Sequence, residues 1–225
     1  MTIEEFSNEF DVLLNSFSVV QGQPSLVLDE YEKSVLLTKA QEEIVKSYYN
    51  GSFEGTEEMR RGLEELVVSD TPTEKTDVAA KDKVSSTSQV FILPSEVWFI
   101  TYEAATLTDD ALGCKNNTEA EVTPIRQDEY HRVKNNPFRG PSSNRVLRID
   151  TGSSCVELIS KYKISNYFIK YVKEPSPIIL EDITDDNLSI NNDKITQTCK
   201  LNTTLHRPIL ERAVALAIQR VATSK

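Results

Sequence analysis

Helical spacing of apolar residues occupies both ends of this 225-residue chain and is missing from its middle. That arrangement narrows the possible folds more than any single motif. Over residues 3–17, Ile3, Phe6, Phe10, Leu13, Leu14 and Phe17 recur at steps of three and four, which places them on one helical face. Residues 28–49 repeat the pattern with Val35, Leu36, Ala40, Ile44, Val45 and Tyr48, and Asn50-Gly51 closes the segment. The stretch QGQPS (21–25) separates the two helices. A third helix over 56–67 starts at Thr56 and continues with acids, which suit the positive end of the helix dipole. The texture then changes. QVFILP, EVWFITYEAATL, RVLRID, CVELIS and NYFIKYV are rich in β-branched and aromatic residues and read as strands. One or two helical turns fit residues 127–133. Helical spacing returns over 208–223, where Ile209, Leu210, Ala213, Val214, Ala217, Ile218 and Val221 share a side and Pro208 sits near the start.

Helices and strands segregated in this way define an α+β fold. The expected arrangement packs the N-terminal helices with the C-terminal helix and inserts an antiparallel β-rich domain between them. The corresponding boundaries are 1–69 with 205–225 for the helical domain, 70–89 for a linker or exposed loop, and 90–204 for the β-rich insert.

The N-terminal MTIEEFSNEF has acids where a secretion signal needs a basic start and an apolar run. No stretch approaches the roughly 20 apolar residues of a membrane span. Three distant cysteines, Cys114, Cys155 and Cys199, have no CxxC spacing and read as free thiols in a reducing compartment. Charge is unevenly placed. Residues 1–70 hold 15 acids and 5 bases, so the whole net charge of -10 lies there, and the other 155 residues balance at 20 of each. Residues 124–148 run the other way, with six bases against Asp128 and Glu129. A nucleic-acid reader concentrates positive charge over its domain as a whole, and this chain does not.

Little in the sequence points to chemistry. Asp150-Thr151-Gly152-Ser153, after the strand RVLRI, matches the D-T-G-S of aspartic proteases, in which two aspartates share a proton. A homodimeric aspartic-type protease using Asp150 is therefore the alternative to a structural role. Against it, no second D-T/S-G exists, Gly152 is the last glycine, and Arg148 stands where an apolar residue is usual. A polar turn between strands uses the same residues for geometry alone. His131 and His206 are isolated and lack metal-site spacing. A Cys155–His206 pair has no support from spacing. There is no P-loop, GxGxxG or HExxH, and the acidic run 182–193 lacks the glycine and alternation of a calcium loop. No cofactor or metal is expected.

The stretch HRVKNNPFRGPS (131–142) is basic and braced by turn formers. Arg126, Arg132, Lys134, Asn135, Asn136, Arg139, Arg145 and Arg148 form a candidate interface set, because Arg and Asn on such a loop suit bidentate bonds to carboxylates of a neighbour. LDEYEKSVLLTKAQEEIVKSYYNG (28–51), IRQDEYHRVKNNPFRGPSSNRVLRID and VELISKYKISNYFIKYVKEPSPIIL resemble the neck and tail ring proteins of crAss-like, short-tailed bacteriophages of gut Bacteroidales. The resemblance covers 28–51 and about 124–220. It implies a virion protein without enzymatic activity, similar in role to podovirus adaptor and tubular proteins, assembled in the host cytoplasm. It also implies a ring of about twelve copies, with the portal and other tail ring proteins as partners. Double-stranded genomic DNA would pass through its channel without sequence-specific binding.

Overall fold

The computed structural model describes residues 1–20, 27–52, 55–79, 82–152 and 154–223, with side chains except at 17–20 and 221–223. The QGQPS break, Ser153 and the side chains of Phe17 and Val221 lie outside the described residues. The architecture is α+β: helices at both ends and a curled eight-stranded sheet between them. The chain divides into two units, residues 1–66 with 175–225 and residues 67–174. No described helix is long and apolar enough to cross a membrane.

The helical unit contains α1 (Ile3–Val20), α2 (Glu30–Tyr49), α3 (Glu57–Glu64) and α5 (Thr203–Thr223). Asp29 caps α2 in a capping box: its Oδ1 accepts the Glu32 N–H at 2.7 Å, and Glu32 reaches back to the Asp29 N–H. Thr56 caps α3 by accepting the Met59 N–H. Phe6, Phe10 and Leu14 of α1 and Leu36, Leu37, Ala40 and Val45 of α2 are buried, as are Leu205, Ile209, Leu210, Ala213 and Val214 of α5. The last helix begins five residues before the expected start. Asn202 accepts the Thr204 N–H and hydroxyl, both at 3.1 Å, and this cap outweighs the proline signal. Pro208 thus lies inside the helix, in its second turn, where it leaves the i→i−4 bond to the Thr204 carbonyl unmade.

Residues 175–201 belong with the helices because α2 takes up their backbone. Ser34, Thr38 and Gln41, spaced as one helical stripe, are buried. The Ser34 hydroxyl accepts from the Leu180 N–H (3.0 Å), and the Thr38 hydroxyl both accepts from the Ile178 N–H (3.0 Å) and donates to its carbonyl (3.2 Å). The Gln41 amide donates to the Ser176 carbonyl at 2.8 Å. An extended segment whose pairing with residues 194–197 is confined to the Ile179–Gln197 bridge and the Ile183 N–H on the Lys194 carbonyl therefore has its other buried polar groups satisfied by a helix face.

His206 in α5 is 4% exposed. Its Nε2 lies 3.0 Å from the Leu201 carbonyl, the Met1 amino nitrogen lies 2.9 Å from Nδ1, and the Phe6 ring tilts against it at 5.3 Å. Burial, aided by the positive amine, holds its pKa below the ordinary 6.5. The unfolded chain therefore takes up this proton first, and stability present above pH 6.5 is lost as pH falls toward the folded value. Urea unfolding should show a lower midpoint at about pH 5.5 than at about pH 7.5. His206→Gln should reduce that difference, and an unchanged pH dependence in the variant would contradict this account.

The β-rich unit contains β1 (Val67–Asp70), β2 (Thr73–Glu74), β3 (Ser88–Ile92), β4 (Val97–Thr108), β5 (Thr118–Pro124), the short α4 (Tyr130–Val133), β6 (Arg145–Gly152), β7 (Cys155–Ile159) and β8 (Lys163–Lys173). The sheet order is β1-β8-β4-β5-β6-β7-β3-β2. Expected strands appear as β3, β4, β6, β7 and β8. Three others were not foreseen: β1 and β2, at the helix end and in the stretch read as a linker, and β5. The curl brings β3 opposite β8, with the Phe91 and Tyr167 rings 5.3 Å apart. The Gln89 side chain bridges the gap, donating to the Ile164 carbonyl (3.1 Å) and accepting its N–H (2.6 Å), as a backbone neighbour would. Ala105, Leu107, Val146, Val156, Leu158 and Tyr167 fill the inner face. A second cluster, Tyr130, Val133, Leu147, Ile149 and Ile159, packs α4 against the opposite face of β6 and β7.

Among the described residues every strand pair is antiparallel except β5 with β6. A parallel pair needs a long crossover. Here residues 125–144 supply it, and they carry the basic loop.

Candidate functional site

The crossover is anchored by α4 and by its own backbone. Asn136 Oδ1 accepts the N–H groups of Phe138 (2.9 Å) and Arg139 (3.2 Å), and the Asn136 carbonyl accepts the Gly140 N–H at 2.7 Å. The Arg145 guanidinium donates to the Phe138 carbonyl. At Gly140 a Cβ would sit 2.6 Å from the Asn136 carbonyl oxygen, so only glycine fits this fold-back. The loop is thus held in one shape by its own hydrogen bonds.

The candidate set separates by geometry. Arg126 pairs with Asp128, Arg132 pairs with Glu129 at 2.8 Å, and all four are exposed or partly exposed. Such pairs are weak and readily exchange partners. The Lys134 ammonium lies 5.5 Å from the Tyr130 ring centre. Asn135 is exposed, Asn136 organises the turn, and Arg145 braces it. Arg139 is exposed and its guanidinium has no partner among the described residues. Arg148 does not belong with this surface. Alternation along β6 sends Leu147 and Ile149 toward α4, and Val146 and Arg148 to the inner face. Arg148 is 12% exposed and pairs with Glu103, which is 8% exposed, while the Tyr167 hydroxyl donates to Glu103 Oε2 at 2.7 Å. Its Nε lies 3.2 Å from Asp150 Oδ1 without a hydrogen bond, and the link to Asp150 rests on a long bond from Nη2 to Oδ2 at 3.5 Å. Burial pushes the Glu103 carboxyl above its ordinary value, against the pull of Arg148 and Tyr167.

The same contacts answer the protease alternative. Asp150 stands in the β6–β7 hairpin, with Gly152 (φ 82°) and Ser154 (φ 55°) making the turn. Its carboxylate is engaged by the Arg148 guanidinium, and nothing among the described residues supports the second carboxylate that a proton-sharing dyad would draw from another copy. Cys155 lies in β7 and His206 in α5, each within its own unit. All three cysteines are free thiols. Cys199 is buried with its thiol donating to Gln41 Oε1, and burial pushes its pKa up to about 11. Among the described residues no group of His, Cys, Asp and Glu is arranged to hold a metal. In the acidic run 182–193 the Lys194 ammonium takes the carbonyls of Asp185 (3.2 Å) and Asp186 (3.1 Å).

Sequence reasoning passed over Phe138, which is 85% exposed at the tip of the braced loop. An aromatic flanked by arginine in a Pro/Gly-braced turn was the available signal.

A split α+β chain whose outward chemistry is a rigid, basic, aromatic-tipped loop has the make-up of an assembly subunit. Comparison with known proteins specifies which kind. The chain belongs to the phage tail ring protein 3/4 family, whose model matches residues 1–225. It is 49% identical over 225 residues to Ring protein 3 of Bacteroides phage crAss001, covering 97% of this chain and 95% of the relative. It is also 34% identical over 238 residues to Ring protein 4/5 of the same phage, covering 96% and 92%. The chain is a structural ring protein of a phage tail and a component of the virion.

Proposed function

We propose that this protein is a non-enzymatic subunit of a ring of about twelve copies in the neck or tail barrel of a short-tailed phage. Stacked with other ring proteins, it connects portal and tail and lines or supports the channel through which DNA leaves. One observation carries this reading: a single chain matches two differently named ring proteins of one phage over nearly its whole length. Such kinship fits a fold repeated in successive rings of one stack.

The charge distribution supports the same reading. The acidic residues of 1–70 and the basic crossover provide unlike surfaces, as a head-to-tail ring contact needs. Arg126, Arg132, Lys134, Asn135, Asn136, Arg139 and Arg145 are the residues placed at that contact. If the acidic helices face the channel, like charge keeps phosphates from sticking during ejection, because backbone contacts dominate non-specific DNA affinity. Assembly in the host cytoplasm accords with three free thiols.

Electron microscopy of purified tails, with native mass measurement of the full chain, tests the proposal. A closed ring of about twelve copies between portal and distal tail is expected. A chain that stays monomeric and is absent from virions would refute it.

A further inference from the structure

The tip of the crossover has a counterpart elsewhere on the chain. Phe138 exposes a large apolar ring, Arg139 beside it has no side-chain partner among the described residues, and both are held by the Asn136 turn. Preorganised aromatic and arginine anchors that fill pockets dominate protein interfaces.

The helical unit contains a cavity of about 220 Å³ between α2 and the 181–188 segment. Tyr31, Ile183 and Leu188 give it an apolar lining, and Glu181, Asp182 and Asp185 give it an acidic rim. Small-molecule sites usually run about 300–1,000 Å³, so this space suits one large side chain. Its wall is ordered. Asp182 Oδ1 accepts the Thr196 N–H (2.7 Å) and hydroxyl (2.6 Å), Asp185 Oδ1 accepts the Asn187 N–H (2.8 Å), and Lys194 ties the Asp185 and Asp186 carbonyls. Glu181 is exposed and has no partner among the described residues.

We infer that the Phe138–Arg139 tip of one copy seats in this cavity of the next copy around the ring. The ring of Phe138 meets Tyr31, Ile183 and Leu188, and the guanidinium of Arg139 meets Glu181 and Asp185. This rests on the ring reading and moves the acidic half of its contact from residues 1–70 to the rim at 181–185, beside Tyr31 of α2. A heterologous interface needs a knob and a socket at different places on one surface. The knob lies on the β-rich unit and the socket on the helical unit. The aromatic tip answers the apolar lining, and the positive charge answers the acidic rim. A second copy is the occupant because this chain carries both halves.

Charge exchange in the full-length chain tests it, with assembly read by native mass measurement and microscopy. Arg139→Glu and Glu181→Lys change side chains free of described contacts, so the fold should survive. Each variant alone places like charges at the contact and should lower the assembled fraction about tenfold or more. An equal mixture should recover assembly, because in alternating order both kinds of contact become complementary, and the rings should contain the two variants in equal number. Phe138→Ala should weaken assembly without recovery by either partner. Wild-type assembly by both single variants, or a mixture that stays unassembled, would overturn the inference and leave the ring reading intact. Rings that close but no longer stack on other tail rings would place the partner there and overturn it too. A wild-type chain that forms no ring alone or in virions defeats both.

Discussion

Arg148→Ala should destabilise the β-rich unit by about 3–5 kcal/mol, the usual cost of removing one partner from a buried ion pair. Against a total stability of about 5–15 kcal/mol for a domain, that leaves the unit near its unfolding threshold at physiological temperature. Glu103 and Arg148 have side chains 8% and 12% exposed, and the Tyr167 hydroxyl donates to the same carboxylate. The Ala variant leaves Glu103 charged on the inner face of the sheet with one hydroxyl for company. Burial already pushes Glu103 upward, and the Arg148 charge is the main opposing influence. A raised carboxyl pKa contributes stability below its unfolded value, near 4.5, and loses it as pH rises through the folded value. The deficit of Arg148→Ala should therefore be larger at neutral pH than near pH 4.5. Urea titrations at the two pH values measure it. A paired Glu103→Leu/Arg148→Met chain should lose less than Arg148→Ala, because no charge is stranded. A deficit below about 1 kcal/mol, the worth of a surface pair, or one independent of pH, would refute the account.

Glu157→Ala should cost about 2–3 kcal/mol and unfasten the segment before β3. Glu157 is 0% exposed, and no cation pairs with it among the described residues. Its oxygens accept the N–H of Val84 (2.9 and 3.0 Å), the N–H of Ser85 (3.1 Å) and the hydroxyl of buried Ser88. Converging amides of this kind form an anion nest, and hydrogen bonds to a charged acceptor are each worth about 1.5–3 kcal/mol net. Alanine removes the acceptor and strands the donors. Some of them regain water as the turn loosens, which keeps the loss below the sum. Hydrogen exchange should show faster exchange at Val84, Ser85 and Ser88 in the variant, with β8 unchanged. Protection that stays at wild-type level at those amides would show that the carboxylate does not hold the segment.

Much of the secondary structure was legible from residues. Phe6, Phe10 and Leu14 of α1 and Leu36, Ala40, Ile44 and Val45 of α2 are buried where spacing put them, whereas the polar stripe Ser34, Thr38 and Gln41 that α2 also buries gave no such signal. Strands such as EVWFITYEAATL and NYFIKYV were legible because β-branched and aromatic residues fit a pleated surface. Three strands escaped. β1 continues the apolar run of α3, so its Val67 and Val68 look helical until β8 offers them partners. β2 has only two residues. β5 carried a short alternation, exposed Glu119, buried Ala120, exposed Glu121 and buried Val122, in a stretch otherwise too polar to read. The candidate loop was legible as a basic, turn-braced surface. The place of Arg148 was not, since RVLRID buries both faces and leaves no polar side to mark direction.

Local sequence determined which segments coil, which extend, where Asp29, Thr56 and Asn202 start helices, and that a basic turn interrupts an acidic chain. These depend on neighbours within a few residues, and the order of side chains states them directly. Tertiary structure decided which charges are buried together, that Glu157 is held by amides some seventy residues away in the chain, and that Gln89 closes a sheet against β8. It also decided that the parallel β5–β6 pair carries the basic loop in its crossover. Burial and hydrogen-bond partners arise from residues distant in sequence, and the curl of the sheet is what brings them together.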